Sequence, residues 1–450
     1  MIRTATGLLF ALLLVVVPVA AFALHDPTPS SLFTSCNFTG NVAVRRAHAS
    51  VPGAVDVLYR GEFGHLDLRG HLPMPPDAHY PVASNTKVYI AIALYQLQEQ
   101  QRVDLARPIQ EYLTAADMAA FGVPGETNYC PTVQGNHDTR CRNITFEQLL
   151  DMTAGIADQG LQFLPFPGSL GAVFGRYVTK PLVHEPGASF YYSNPSFMLA
   201  AYFVEKFSGL RLQVYLKRNI FDIVGLEHTY FDVFNGKMGF DPLRVEEHYK
   251  FVDPTGAHDL VAIGACSSEF DMGSANGAGG IVSTQDDEAQ LYFTLFNFSS
   301  NASGRPVFRD PATLRQLVRP RTWVGTINSA QNSYFAQGLF VVAANNRSAT
   351  LPASIFYEGE VMCSHTMNVF RIGAIDGAGR GRHQGGGAGP EGHPRSMMTQ
   401  VWSPAMTYFV SAATLEEAQL SQQGSFLGIF AGWPRRPSLS QLAYLLEAMF

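Results

Sequence analysis

The sequence predicts an α+β fold: an antiparallel sheet flanked by helices, with a helical lobe and a cleft between the two. Three observations carry this. Strand-like text lies early in the chain, helical text occupies the middle, and strand-like text returns in the last third. With β at both ends and α between, the two β parts are expected to join one sheet. Apolar residues make up 46% of the 450 residues and charged residues 15%, ample material for a large core.

The elements follow in chain order. Residues 1–23 read as a signal peptide: Arg3 precedes an apolar run, and Ala21 and Ala23 supply the small residues of a cleavage point. The alternative is a signal-anchored membrane protein, since the run from Gly7 to Leu24 is nearly long enough to span. Residues 24–44 form an N-terminal extension. From Val55, "VDVLYRGEFGHLDLRG" reads as strand with turn signals at Gly61, Gly64 and Gly70. "SNTKVYIAIALYQLQEQ" is a helix apolar nearly all round, which belongs in a core. "ITFEQLLDMTAGI" opens with a capping box of Thr145 and Gln148. "SNPSFMLAAYFVEKFSGL" is a second buried helix stopped by Gly209, and residues 285–298 are read as an amphipathic helix with acids in its first turn. "YFAQGLFVVAA", "HTMNVFRIGAI", "SMMTQVW" and "MTYFVSAATL" are the late strands. Residues 416–450 are a C-terminal extension ending in a helix.

A net charge of −6 without a basic run gives no reason to expect nucleic acid as a partner. Asn-x-Ser/Thr sequons at Asn37, Asn143, Asn297, Asn301 and Asn346 agree with secretion and a glycoprotein. Among five cysteines, Cys130 and Cys141 bracket a polar stretch that a disulfide would close. Cys266 and Cys363 are a second candidate pair, Cys36 is left over, and free buried thiols are the alternative. The thirteen histidines show no metal-ligand spacing, and neither metal nor cofactor is expected. Stable membrane insertion is not expected.

Three short motifs carry chemistry. Ser84 and Lys87 lie three residues apart, on one face of a helix. A serine needs a nearby base, and a lysine serves only as the neutral amine, which burial at a helix N-terminus favours. Tyr192 and Asn194 stand at the head of a buried helix, where a phenol shuttles protons and an amide contacts a substrate carbonyl. His383, Gly385 and Gly386 sit in a glycine tract where a substrate could approach the backbone.

In the order Ser-x-x-Lys, Tyr-x-Asn, His-x-Gly, these motifs resemble the class C β-lactamase-related serine hydrolases: AmpC-type β-lactamases, D-alanyl-D-alanine carboxypeptidases and esterases of the same fold. "EPGASFYYSN" and "GAGGIVSTQDD" add to the likeness, which covers about residues 45–415. The resemblance implies a β-lactamase/transpeptidase-like fold and an acyl-enzyme on an ester or amide. Ser84 would be the nucleophile, Lys87 its base partner and Tyr192 the proton carrier. Asn194, His383, Gly385 and Gly386 would bind substrate, with the backbone N–H groups of Ser84 and Gly386 forming an oxyanion hole. Relatives that hydrolyse β-lactams carry lysine at the third motif; His383 here points to esterase or peptidase-like action on a small-molecule or peptide-like substrate. The alternative is a catalytically inactive binding protein. Stretches 120–143 and 232–270 read as insertions.

Overall fold

The computed structural model describes residues 28–409, apart from short internal stretches of which 159–166, 233–240, 344–351 and 373–395 are the longest. The signal-peptide reading, the terminal helix and the His383 tract therefore lie outside the described residues. So do Cys36, Cys130, Cys266 and Cys363.

The main sheet has eight strands: β1 (Gly40–Ala47), β2 (Val55–Phe63), β3 (Thr322–Ile327), β4 (Gln331–Phe335), β5 (Phe340–Val342), β6 (Ser354–Val361), β7 (Ser364–Arg371) and β8 (Met397–Ser403). Their spatial order is β3-β4-β5-β6-β7-β8-β1-β2, with every neighbour antiparallel. The early hairpin thus closes onto the late strands as the sequence predicts. "YFAQGLFVVAA" is not one strand: it takes in the end of β4, a turn in which Gly338 adopts a left-handed φ of 81°, and β5.

Three helices position the site. α1 (Thr86–Glu99) is buried continuously from Thr86 to Leu97, which fits its all-round apolar sequence. α2 (Asn194–Ser208) starts with a Ser193 cap and Pro195 and ends at Gly209 in the left-handed conformation. α3 (Gln285–Asn297) is more buried than an amphipathic reading allows. Leu291, Tyr292, Phe293, Leu295 and Phe296 are all buried, as are the first-turn acids Asp287 and Glu288. Those acids have partners in the fold: Thr229 donates to Asp287 and Tyr89 to Glu288.

One large apolar core joins these helices to one sheet face, and a smaller cluster of Phe33, Val42, Val44, Met367 and Val401 covers the other. Part of the 232–270 stretch forms a hairpin, His248–Val252 with Asp259–Ala265, whose first strand pairs parallel with Ala405–Phe409. No helix among the described residues is long and apolar enough to cross a membrane.

Candidate active site

Ser84 sits in a tight 3-10 turn, Ala83–Asn85, immediately before α1. It is the half-exposed residue in an otherwise buried run. Ala83 has a φ of 48°, a conformation that costs a residue with a Cβ on the order of 1–3 kcal/mol. The turn is held in place by Asn85, whose amide donates to Val82 O and Thr366 Oγ1 and accepts from Asn368 of β7. Strain at the serine is therefore offset by bonds to the sheet.

Lys87 is fully buried, and its Nζ makes three hydrogen bonds: to Ser84 Oγ at 2.9 Å, Asn194 Oδ1 at 2.9 Å and Ala278 O at 2.7 Å. The Tyr192 hydroxyl bonds Ser84 Oγ at 2.7 Å, and its ring centroid lies 4.9 Å from the lysine nitrogen. Asn194 is fixed in turn by Asp158, whose Oδ2 accepts from its backbone N–H and its side-chain amide, both at 3.0 Å. Four of the seven predicted residues, Ser84, Lys87, Tyr192 and Asn194, are thus in one hydrogen-bonded group.

Ala278 and Asp158 escape sequence reasoning. Ala278 acts through its carbonyl, which no side-chain pattern reveals; the one signal is the "GAGG" stretch around it. Gly277 must be glycine-sized there, since a Cβ would stand 2.4 Å from Ala201 Cβ on α2.

His383, Gly385 and Gly386 lie within 373–395, outside the described residues; among the described residues, the strand that lies against the Ser84 turn is β6. A Cβ on Gly359 would stand 2.3 Å from Val82 O and 2.7 Å from the Asn85 amide nitrogen, so only glycine lets this strand approach so closely. β5 pairs with β6 only as far as Phe356, and among the described residues no strand pairs with the same edge of 357–361. Among the described residues, the triplet beside the serine is Tyr357-Glu358-Gly359.

Glu358 and Glu360 stand on the sheet face away from Tyr357, with His365 directly across from Glu360. His365 Nε2 bonds Glu358 Oε1 at 2.5 Å. Burial lowers the imidazolium, but the Glu358 hydrogen bond and the charges of both glutamates raise His365 above the usual histidine value. No group of three or more metal-ligating side chains occurs among the described residues.

An antiparallel sheet, a helical lobe and a serine-lysine-tyrosine group at their junction define the class of serine hydrolases built on the β-lactamase and penicillin-binding protein fold. The Beta-lactamase family model matches residues 39–388, and the chain belongs to that family. The penicillin-binding protein from Bacillus halodurans superposes with a TM-score of 0.58 at 15% identity, covering 88% of this chain and 99% of that one. The D-amino acid amidase from Ochrobactrum anthropi SV3 complexed with D-phenylalanine gives 0.54 at 18% identity over 82% and 88% of the two chains. By sequence, protein flp of Staphylococcus aureus strain N315 is 22% identical over 236 residues, 52% of this chain and 42% of its own length. A putative D-alanyl-D-alanine carboxypeptidase of Escherichia coli O157:H7 is 25% identical over 244 residues, 48% of this chain and 50% of its own length. These matches take in half or less of either curated relative.

Proposed function

We propose that the protein is a secreted serine hydrolase that forms an acyl-enzyme at Ser84 on an ester or amide, with esterase or amidase action ahead of β-lactam hydrolysis. The observation that carries this is the pair of hydrogen bonds converging on Ser84 Oγ, one from the Lys87 amine and one from the Tyr192 phenol. As Ser84 Oγ bonds to the substrate carbonyl carbon, its proton passes to Lys87 Nζ, the base in this reading. Tyr192 gives its own proton to the leaving oxygen or nitrogen as that bond breaks, and recovers one from Lys87. Water then repeats the sequence to release the acid. The N–H groups of Ser84 and of the β6 edge after Gly359 would take the oxyanion.

The D-amino acid amidase and carboxypeptidase likenesses support testing D-amino-acid amides and peptides beside simple esters. Incubation with a fluorophosphonate should add one adduct to the wild type by intact mass and none to Ser84→Ala. A folded wild type without an adduct would refute the assignment and leave a binding role for the same site.

Secretion rests on the N-terminal sequence and the sequons. Asn143 is exposed at the end of the short helix Thr139–Asn143, as a glycan acceptor must be. Protein secreted from eukaryotic cells should lose mass on treatment with N-glycosidase, with one glycan fewer in Asn143→Gln; equal masses for the two untreated proteins would remove this site. Cys141 is fully buried, as one half of the proposed bridge to Cys130.

A further inference from the structure

Tyr191 and Tyr192 lie in irregular chain just ahead of α2, outside any strand ladder or helical turn. The backbone N–H groups on either side of Tyr192 therefore need partners of their own. Both go to one residue. Tyr191 N–H donates to Met152 O at 2.8 Å, and Ser193 N–H donates to Met152 Sδ at 3.2 Å. The phenol that bonds Ser84 Oγ is thus spanned by two hydrogen bonds ending on a single methionine.

Methionine is an unusual residue for this place. Met152 is fully buried, and its φ of 61° lies in the left-handed region that glycine and asparagine occupy most easily. A thioether is also a weak acceptor for a buried amide N–H. A strained backbone and a poor acceptor are kept together here, and outliers of this kind gather where a fixed geometry is needed. The two contacts account for the pairing: with the chain turned this way, the carbonyl and the side chain of one residue reach the same stretch. Glycine would ease the turn but leave the Ser193 N–H without its acceptor. The residues beside Met152 are tied to the fold, since Gly338 N–H donates to Leu150 O at 2.8 Å and Thr153 N–H to Gln148 O at 3.0 Å. Tyr192 therefore hangs from a fixed point.

We infer that Met152 is a positioning residue for Tyr192: by holding the chain on both sides of the phenol, it keeps the hydroxyl at Ser84 Oγ and in line with the leaving group. The sulfur exchanges no proton and acts only through Tyr192. The role rests on the serine hydrolase reading above, in which Tyr192 protonates the leaving group. Proton delivery depends on placement to a fraction of an ångström, so a loosened Tyr192 slows the step that uses its proton more than any other.

Met152→Leu keeps the buried volume and the carbonyl that serves Tyr191, and removes the acceptor for Ser193 N–H. The assay compares two esters with one acyl group, an alkyl ester whose leaving oxygen must be protonated and a p-nitrophenyl ester whose leaving group departs as a stable anion. The expected result is a kcat/KM for the alkyl ester about tenfold lower, and one for the p-nitrophenyl ester within about twofold of wild type. Met198→Leu makes the same exchange at a buried methionine of α2 and should leave both esters within about twofold. Equal losses on both esters in Met152→Leu would show a general structural role and overturn the proposal. So would no loss on either, a loss of the fold, or the same alkyl-ester defect in Met198→Leu. Wild-type protein that turns over neither ester would overturn the hydrolase reading itself, a result distinct from the others.

Discussion

Lys87→Met should lower kcat/KM for ester substrates by about 10³-fold, within the range ascribed to a positioned proton carrier, while the protein stays folded with a lower unfolding temperature. The activity loss follows from the geometry: Lys87 Nζ and the Tyr192 hydroxyl are the two groups bonded to Ser84 Oγ. The stability result follows from burial. A fully buried amine is held by three oxygen acceptors; methionine fills nearly the same volume, so the fold survives, but the acceptors lose their donor. Thermal unfolding beside steady-state kinetics checks both halves. A variant that loses its fold together with its activity would make Lys87 a structural residue and not a chemical one.

The second large effect concerns pH and Glu288. This carboxyl is fully buried on α3 and accepts a 2.6 Å hydrogen bond from Tyr89 of α1. Burial raises it from the ordinary 4.5 to about 8, with the nearby Asp287 charge adding to the rise and the Tyr89 hydrogen bond opposing it. Below about pH 4.5 both folded and unfolded chains hold this proton, and the group has no pH-linked cost. As pH climbs from there towards 8, the unfolded chain releases the proton and the folded one keeps it, so stability falls. The loss reaches ~3 kcal/mol by pH 7. Glu288→Gln retains an acceptor for Tyr89 and cannot ionise. Its stability advantage over wild type should grow by about 3 kcal/mol between pH 5 and pH 8 in urea unfolding; a constant difference would mean that Glu288 is already ionised in the folded protein.

What could be read in the sequence was local. Ser84 and Lys87 lie three residues apart beside a helix start, so spacing alone places them on a common face, and Tyr192 and Asn194 are neighbours where the chain enters α2. The all-round apolar character of α1 and α2 gave their burial. The partners of these groups come from far along the chain: Asp158 is 36 residues from Asn194, and Ala278 is 191 residues from Lys87. Such meetings depend on packing and leave no periodic trace. β6 was missed because "SIFYEGEV" places two glutamates and a glycine in a strand, residues that strands disfavour in isolation. Glu358 is accommodated there by His365 on the neighbouring strand, and Gly359 by the approach of the Ser84 turn.

The closing of the early hairpin onto the late strands sets a timetable for synthesis. β1 finds β2 as soon as both have left the ribosome, but its other neighbour is β8: Arg45 of β1 bonds Gln400 of β8, 355 residues further along the chain. At 5–20 residues per second that delay is roughly 20 to 70 s, during which β1 keeps one bare edge and apolar side chains such as Val42 and Val44 stay uncovered. The sheet is therefore completed only after translation has passed Ser403, and a nascent chain arrested earlier holds an open edge of the kind on which strands from other chains assemble.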